Sequence, residues 1–241
     1  GAILDPLVKR LRHWRNVDYS SSHAIAQGWR PDREPRLVIV CDIGVVVHGL
    51  RNAFPSALFM HIGHGLISKN VTRHYPAADF VCAASDQSIE RFTQSGHIPR
   101  KQFFATGFIQ TDPLFRATDP LFRSLSKSRR VPGSSYDSTI IYAPTWNRSL
   151  NSAEMFGDTL VEKIRGQNDR IRIVIKPHPH INVAFPEWIE MWSRMSRQMT
   201  NVELRDPDSD LVPALLEADA MVSDASSAIF QFVILNRPIV L

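Results

Sequence analysis

Short apolar runs alternate along this chain with stretches whose apolar residues recur at helical spacing, and that alternation restricts the fold more than any other feature. In the second half the runs are Ser138–Tyr142, Ile171–Ile175, Val202–Leu204, Ala220–Ser223 and Ile239–Leu241. In the first they are Leu37–Cys41, Ala57–Ile62, Phe80–Ala84 and Phe103–Thr106. Helical patterns lie between several of them, notably Asp86–Ser95 and Pro186–Met199. Runs this short and this apolar read as buried strands, and strands separated by helices build parallel sheets. Segment Arg116–Ser138 interrupts the scheme with Lys127, Arg129, Arg130, Pro132, Gly133 and nearby serines, the composition of an exposed connection. The expectation is an α/β protein of two domains, residues 1–120 and 138–241, joined by a linker at 121–137. The last apolar run has no closing helix and the first half has few strands, so both domains are expected to be partial.

Three strand ends in the second half share one design. Ala143-Pro144-Thr145-Trp146-Asn147-Arg148 follows the first run, Lys176-Pro177-His178-Pro179-His180 the second, and Ser223-Asp224-Ala225-Ser226-Ser227 the fourth. After the last of these, Ala228, Ile229, Phe232, Val233 and Leu235 keep helical spacing until Asn236-Arg237-Pro238 stops them. Ser and Asp are good helix N-caps, and a helix opening at the end of a parallel strand offers N–H groups to an anion. Capping alone accounts for one such turn. Three turns at the carboxyl ends of one open sheet share an edge, where ligands bind. A cation, histidines and hydroxyls gathered there suit an anion, with a diphosphate the natural candidate.

In the first half, His61-Ile62-Gly63-His64-Gly65-Leu66-Ile67-Ser68-Lys69 stands at the end of a strand. Glycines on both sides of His64 allow a sharp turn and leave the imidazole uncrowded. Such an imidazole either accepts a proton from an attacking hydroxyl, with Lys69 beside it to stabilise negative charge, or serves only the turn. The histidine pairs His61/His64 and His178/His180 lack the Cys, Asp or Glu partners a zinc site needs at short spacing. No strand–Gly-x-Ser-x-Gly–helix element supports a serine hydrolase.

Composition excludes little. Lys+Arg 28 against Asp+Glu 24 leaves a net charge of +4, and no aromatic-rich nucleic-acid motif accompanies it. Cys41 and Cys82 each lie in an apolar run, as buried thiols of a reducing compartment do. No apolar stretch reaches the roughly 18 residues of a membrane span and no secretory signal opens the chain, so a cytoplasmic protein is expected. Near the start, Leu4, Leu7, Val8, Leu11 and Trp14 recur at helical spacing among Lys9, Arg10, Arg12, His13 and Arg15. This basic amphipathic stretch is either an ordinary surface helix or a peripheral contact with an anionic membrane. The stripe Trp188, Met191, Trp192, Met195 reads as core packing.

Taken together, His64-Gly65-Leu66, Ala143-Pro144-Thr145-Trp146, Lys176-Pro177-His178-Pro179 and Ser223-Asp224-Ala225-Ser226-Ser227-Ala228-Ile229-Phe230 resemble, in this order, the CDP-glycerol glycerophosphotransferase family of teichoic-acid and capsule polymerases. The piece Ala78–Asp112, with its Ser85 turn and the Gly107…Asp112-Pro113-Leu114 element, is similar to the same family. The resemblance covers roughly residues 55 to 241. It implies a GT-B architecture, two Rossmann-like domains with the active site in the cleft between them, and no cofactor or metal. It implies His64 as general base toward the hydroxyl of a polyol-phosphate or glycan acceptor, with Gly65 and Lys69 on the acceptor side. It implies His178 as the second catalytic histidine. A CDP-linked polyol donor would be held by Lys176, Thr145, Arg148, Ser223, Asp224, Ser226 and Ser227, with CMP as leaving group. Family members act at the inner face of the membrane.

The chain departs from the family pattern at Leu66, Ala225, Gln231 and Asn147, which bears on the particular donor rather than on the fold. The alternatives on the same scaffold are a nucleotide-sugar glycosyltransferase or 2-epimerase, and an inactive truncated remnant that binds a nucleotide.

Overall fold

The computed structural model describes residues 17–41 except 19, 21–23 and 26, together with 44–63, 78–118 and 136–241. The basic amphipathic stretch near the start lies outside these residues. The chain divides into two compact units, Gly1–Gln110 and Thr111–Leu241. That boundary falls before the expected residue 120, and packing explains it. Helix α3 (Asp112–Thr118) carries Leu114, which is fully buried in a core of the second unit.

In the first unit, strands β1 (Leu37–Val40), β2 (Leu58–Ile62), β3 (Phe80–Ala83) and β4 (Gln102–Ala105) form one sheet, all parallel and in chain order. Helix α1 (Gly44–Ala53) connects β1 to β2, and α2 (Asp86–Gln94) connects β3 to β4. Val47, Leu50 and Phe54 recur every three to four residues and meet Val40, Ala57 and Phe59 in the core. The Asp79 carboxylate locks this corner. It accepts the Phe59 N–H at 2.8 Å and the Arg51 guanidinium at 3.0 Å, while that guanidinium lies 4.4 Å over the Phe59 ring. Burial alone would raise the Asp79 pKa, but these donors hold it below the usual carboxylate range. Ser85 caps α2 by accepting the Ser88 N–H at 3.2 Å. Cys41 and Cys82 stand half-buried rather than fully buried. On β3 the inward positions go to Val81 and Ala83, which leaves Cys82 on the other face.

The second unit has the sheet order β7-β6-β5-β8-β9, again wholly parallel. Its strands are β5 (Ser138–Ala143), β6 (Ile171–Ile175), β7 (Val202–Leu204), β8 (Ala220–Ser223) and β9 (Ile239–Val240). From central β5 the chain builds outward through β6 and β7, then returns to add β8 and β9 on the other side. Helices cover both faces: α4 (Ala153–Phe156), α5 (Thr159–Gln167), α6 (Ile181–Ala184), α7 (Pro186–Gln198), α8 (Leu211–Glu217) and α9 (Ser227–Val233). Side chains alternate across the pleat accordingly. Ile141, Ala143, Val174 and Met221 face a core with α8, α9 and Leu114, whereas Tyr142, Ile173 and Ile175 face Val161, Trp192 and Met195. The Trp/Met stripe of α7 is therefore core. Arg172 and Arg205 bridge Glu203 and Glu217, tying β6, β7 and α8 together at the sheet margin. Asn236 adopts φ 51° just past α9, a left-handed conformation that Asn tolerates, and so ends the helix before Pro238. Among the described residues no helix is long and apolar enough to cross a membrane.

Candidate functional site

Strand order reverses in the second unit between β5 and β8, and in open parallel sheets the carboxyl ends at such a switch point frame the ligand crevice. The turns after β6, β5 and β8 lie side by side there, because Tyr142 pairs with Ile175 and Ala143 with Ser223. All seven residues expected to hold the donor diphosphate, together with His178, thus lie on or beside one edge. His64, Gly65 and Lys69 fall outside the described residues.

The turn after β8 is fastened to the turn after β5. Ser223, buried, donates its hydroxyl to the Ala143 carbonyl at 2.7 Å. The Asp224 carboxylate is also buried and accepts two main-chain N–H groups, Thr145 at 2.7 Å and Ser152 at 3.0 Å. Asn151 closes the loop from inside, donating its amide to the Thr145 carbonyl and accepting the Ala153 N–H at 2.5 Å. Tyr142 and Ser152 share a hydrogen bond of 2.9 Å beneath it. Burial, with the Asp224 charge adding, raises the Tyr142 pKa well above the usual phenol range. Ser226 caps α9 by accepting the Ala228 N–H at 3.2 Å, and Ser227 is the first helical residue.

Lys176 sits lower than its expected role suggests. Buried behind the β6 turn, its ammonium donates to the Pro207 carbonyl at 2.8 Å and to the Pro177 carbonyl at 3.2 Å. Burial lowers its pKa to about 8 despite the charges of Asp206, Asp208 and Asp210. Arg148 is exposed and spans the Glu154 carboxylate, with Nη2 at 2.9 Å and Nε at 3.1 Å from the same oxygen. That pairing raises its pKa further.

The ring cluster at the rim was not foreseen. Trp146, 46% exposed, stands with its ring 5.3 Å from His180 and 6.3 Å from His178, and the two imidazoles stack at 5.2 Å. His178 Nδ1 accepts the His180 N–H at 3.2 Å, so in the neutral ring the proton sits on Nε2. The edge therefore gathers two stacked imidazoles, hydroxyls at a helix start and an exposed indole face. Asn151 and Ser152, which shape it, lie in a polar stretch without periodicity. Their one local sign is an Asn and a Ser directly before Ala153-Glu154, a helix-start composition.

A family model described as CDP-glycerol:poly(glycerophosphate) glycerophosphotransferase matches residues 58–241. The teichoic acid glycerol-phosphate primase of Bacillus subtilis (strain 168) is 25% identical over 171 residues, covering 71% of this chain and 41% of that protein. Among solved structures, the wall teichoic acid polymerase TagF matches with a TM-score of 0.51 at 19% identity, over 76% of this chain and 49% of that one. The S. aureus MnaA–UDP structure matches with a TM-score of 0.55 at 15% identity, over 98% of this chain and 68% of that one. The chain spans half or less of the length of the two teichoic-acid proteins. The structural likenesses assign the fold class: α/β, with two Rossmann-like units and parallel sheets, as in GT-B enzymes.

Proposed function

The chain belongs to the CDP-glycerol:poly(glycerophosphate) glycerophosphotransferase family, and from that membership we propose that it transfers a glycerol-phosphate or other polyol-phosphate unit from a CDP-activated donor. The acceptor in this reading is a polyol-phosphate or glycan, and the product a cell-wall or capsule polymer made at the inner face of the membrane. One observation carries the proposal: three turns of diphosphate-binding composition meet at the switch point of the second unit's sheet.

The reaction balances simply. An acceptor hydroxyl oxygen bonds to the β-phosphorus, the bond to the bridging oxygen breaks, and CMP leaves with that electron pair. In this reading His64 takes the hydroxyl proton, and Gly65 and Lys69 serve the acceptor side. His178 and the Ser226 and Ser227 hydroxyls stabilise charge growing on the diphosphate, the main contribution a protein makes to phosphoryl transfer. Arg148 reaches the phosphates by exchanging Glu154 for them, and Thr145 lines the same turn. Lys176, Ser223 and Asp224 serve the site from below.

CMP release from CDP-glycerol with a short polyol-phosphate acceptor tests this reading. His64→Ala should lower turnover by roughly 10²–10⁴-fold and leave donor affinity nearly unchanged. His178→Ala should weaken donor binding. Release of UDP from UDP-sugars in place of CMP would move the chain to the nucleotide-sugar reading, and full turnover in His64→Ala would reduce that histidine to a turn residue.

A further inference from the structure

We infer that Asp224 is a positioning residue that clamps loop 144–152 shut over the switch point, rather than a ligand of the nucleotide. The inference rests on the donor reading above for its functional half and on geometry alone for its structural half. Both carboxylate oxygens are already engaged. Oδ2 accepts Thr145 N–H at the start of the loop and Oδ1 accepts Ser152 N–H at its end, at 2.7 Å and 3.0 Å. One anionic side chain thus closes an eight-residue ring of main chain from Thr145 to Ser152, and the 7% exposure of Asp224 keeps water from competing.

The clamp has a direct consequence for ligand chemistry. A carboxylate beside a diphosphate site repels the ligand unless its charge is spent elsewhere, and here two N–H groups spend it. Those N–H groups are also withheld from the phosphates. Anion recognition passes instead to His178, the Ser226 and Ser227 hydroxyls and Arg148, with Trp146 of the closed loop held against His180 and His178. Asn151 braces the same loop from within through the Thr145 carbonyl and the Ala153 N–H. The chain therefore fixes the loop before any ligand arrives, and the ordering cost is already met when the donor binds.

Asp224→Asn separates the two roles, because an amide of the same shape keeps one acceptor and loses the other. Amide exchange followed by NMR in the ligand-free protein should rise at least about tenfold at Thr145, at Ser152 or at both, the effect of one lost charge-assisted hydrogen bond. Exchange in β5 and β6 should stay as in the wild type, which a general loss of stability would not allow. CDP-glycerol affinity should fall by about tenfold, and Asp224→Asn/His178→Ala should bind little worse than His178→Ala alone, since Asp224 acts through the loop whose Trp146 stands against His178. Asp224→Glu, one carbon longer, should not restore either property. Unchanged exchange at Thr145 and Ser152 in Asp224→Asn overturns the clamp. Lost affinity with both amides still protected overturns it too, and makes Asp224 a ligand. If the wild type binds no CDP-glycerol while the exchange pattern holds, the clamp stands and the donor reading falls.

Discussion

Lys176 shows how far one residue's setting can depart from what its place in a motif suggests. Its ammonium is buried against two carbonyls, and its pKa falls to about 8, whereas an unfolded lysine titrates near 10.4. Between those values the unfolded chain keeps a proton that the folded protein has released, so stability rises with pH across that window. Below about pH 8 both states are protonated, and the cost of burying the charge is carried in full. Lys176→Met, similar in length and without charge, should flatten this slope by no more than about 3 kcal/mol between pH 8 and 10. Urea unfolding of both proteins at several pH values measures it. Parallel curves would mean that Lys176 stays charged throughout and that its burial is shallower than described.

At the scale of elements, two helical glycines should respond to alanine with opposite signs. Gly157 ends α4, and a Cβ there would lie 2.6 Å from the Ala153 carbonyl oxygen and 3.2 Å from the Met191 methyl group. Its own carbonyl accepts the Trp192 indole N–H at 3.2 Å, which fixes α4 on α7 and resists any shift. Gly157→Ala should therefore cost roughly 1–3 kcal/mol, the usual range for overpacking. Gly166 lies in α5 with open space where its Cβ would stand. Gly166→Ala should stabilise by about 0.5–1 kcal/mol, because alanine has less backbone entropy to lose. Denaturant midpoints at constant m-value decide both. A third element-scale test is Ser226→Ala, which removes the α9 cap and should cost about 1 kcal/mol.

For the whole molecule, the separate cores make a prediction about cooperativity. Phe59 is fully buried in the core of the first unit, and Phe232 in a core of the second. Truncating either to alanine removes about 3–5 kcal/mol from the unit that holds it. Phe59→Ala should speed amide exchange in β1 to β4 and leave β5 and β6 at wild-type rates, with Phe232→Ala doing the reverse. Uniform acceleration by either variant would show that the two units unfold as one.

The alternation of apolar runs determined the strands by itself. Nine expected runs correspond to β1 to β9 with ends displaced by a residue or so, since β-branched and aromatic runs bounded by Pro, Gly and Ser have few other uses. Helix α1 was not legible in this way. Val45, Val46 and Val47 favour extended backbone locally, and only the packing of Val47, Leu50 and Phe54 on β1 and β2 makes that segment helical. The composition of the three strand-end turns marked a candidate anion site, because His, Lys and hydroxyls at strand ends are costly to place without use. Which of them are engaged within the protein was decided by tertiary structure. Lys176 is drawn under the loop after β7, and Asp224 is spent on Thr145 and Ser152, residues 72 to 79 positions away. Hydrogen bonds across such separations depend on strand order, and strand order is settled by how the sheet buries both of its faces.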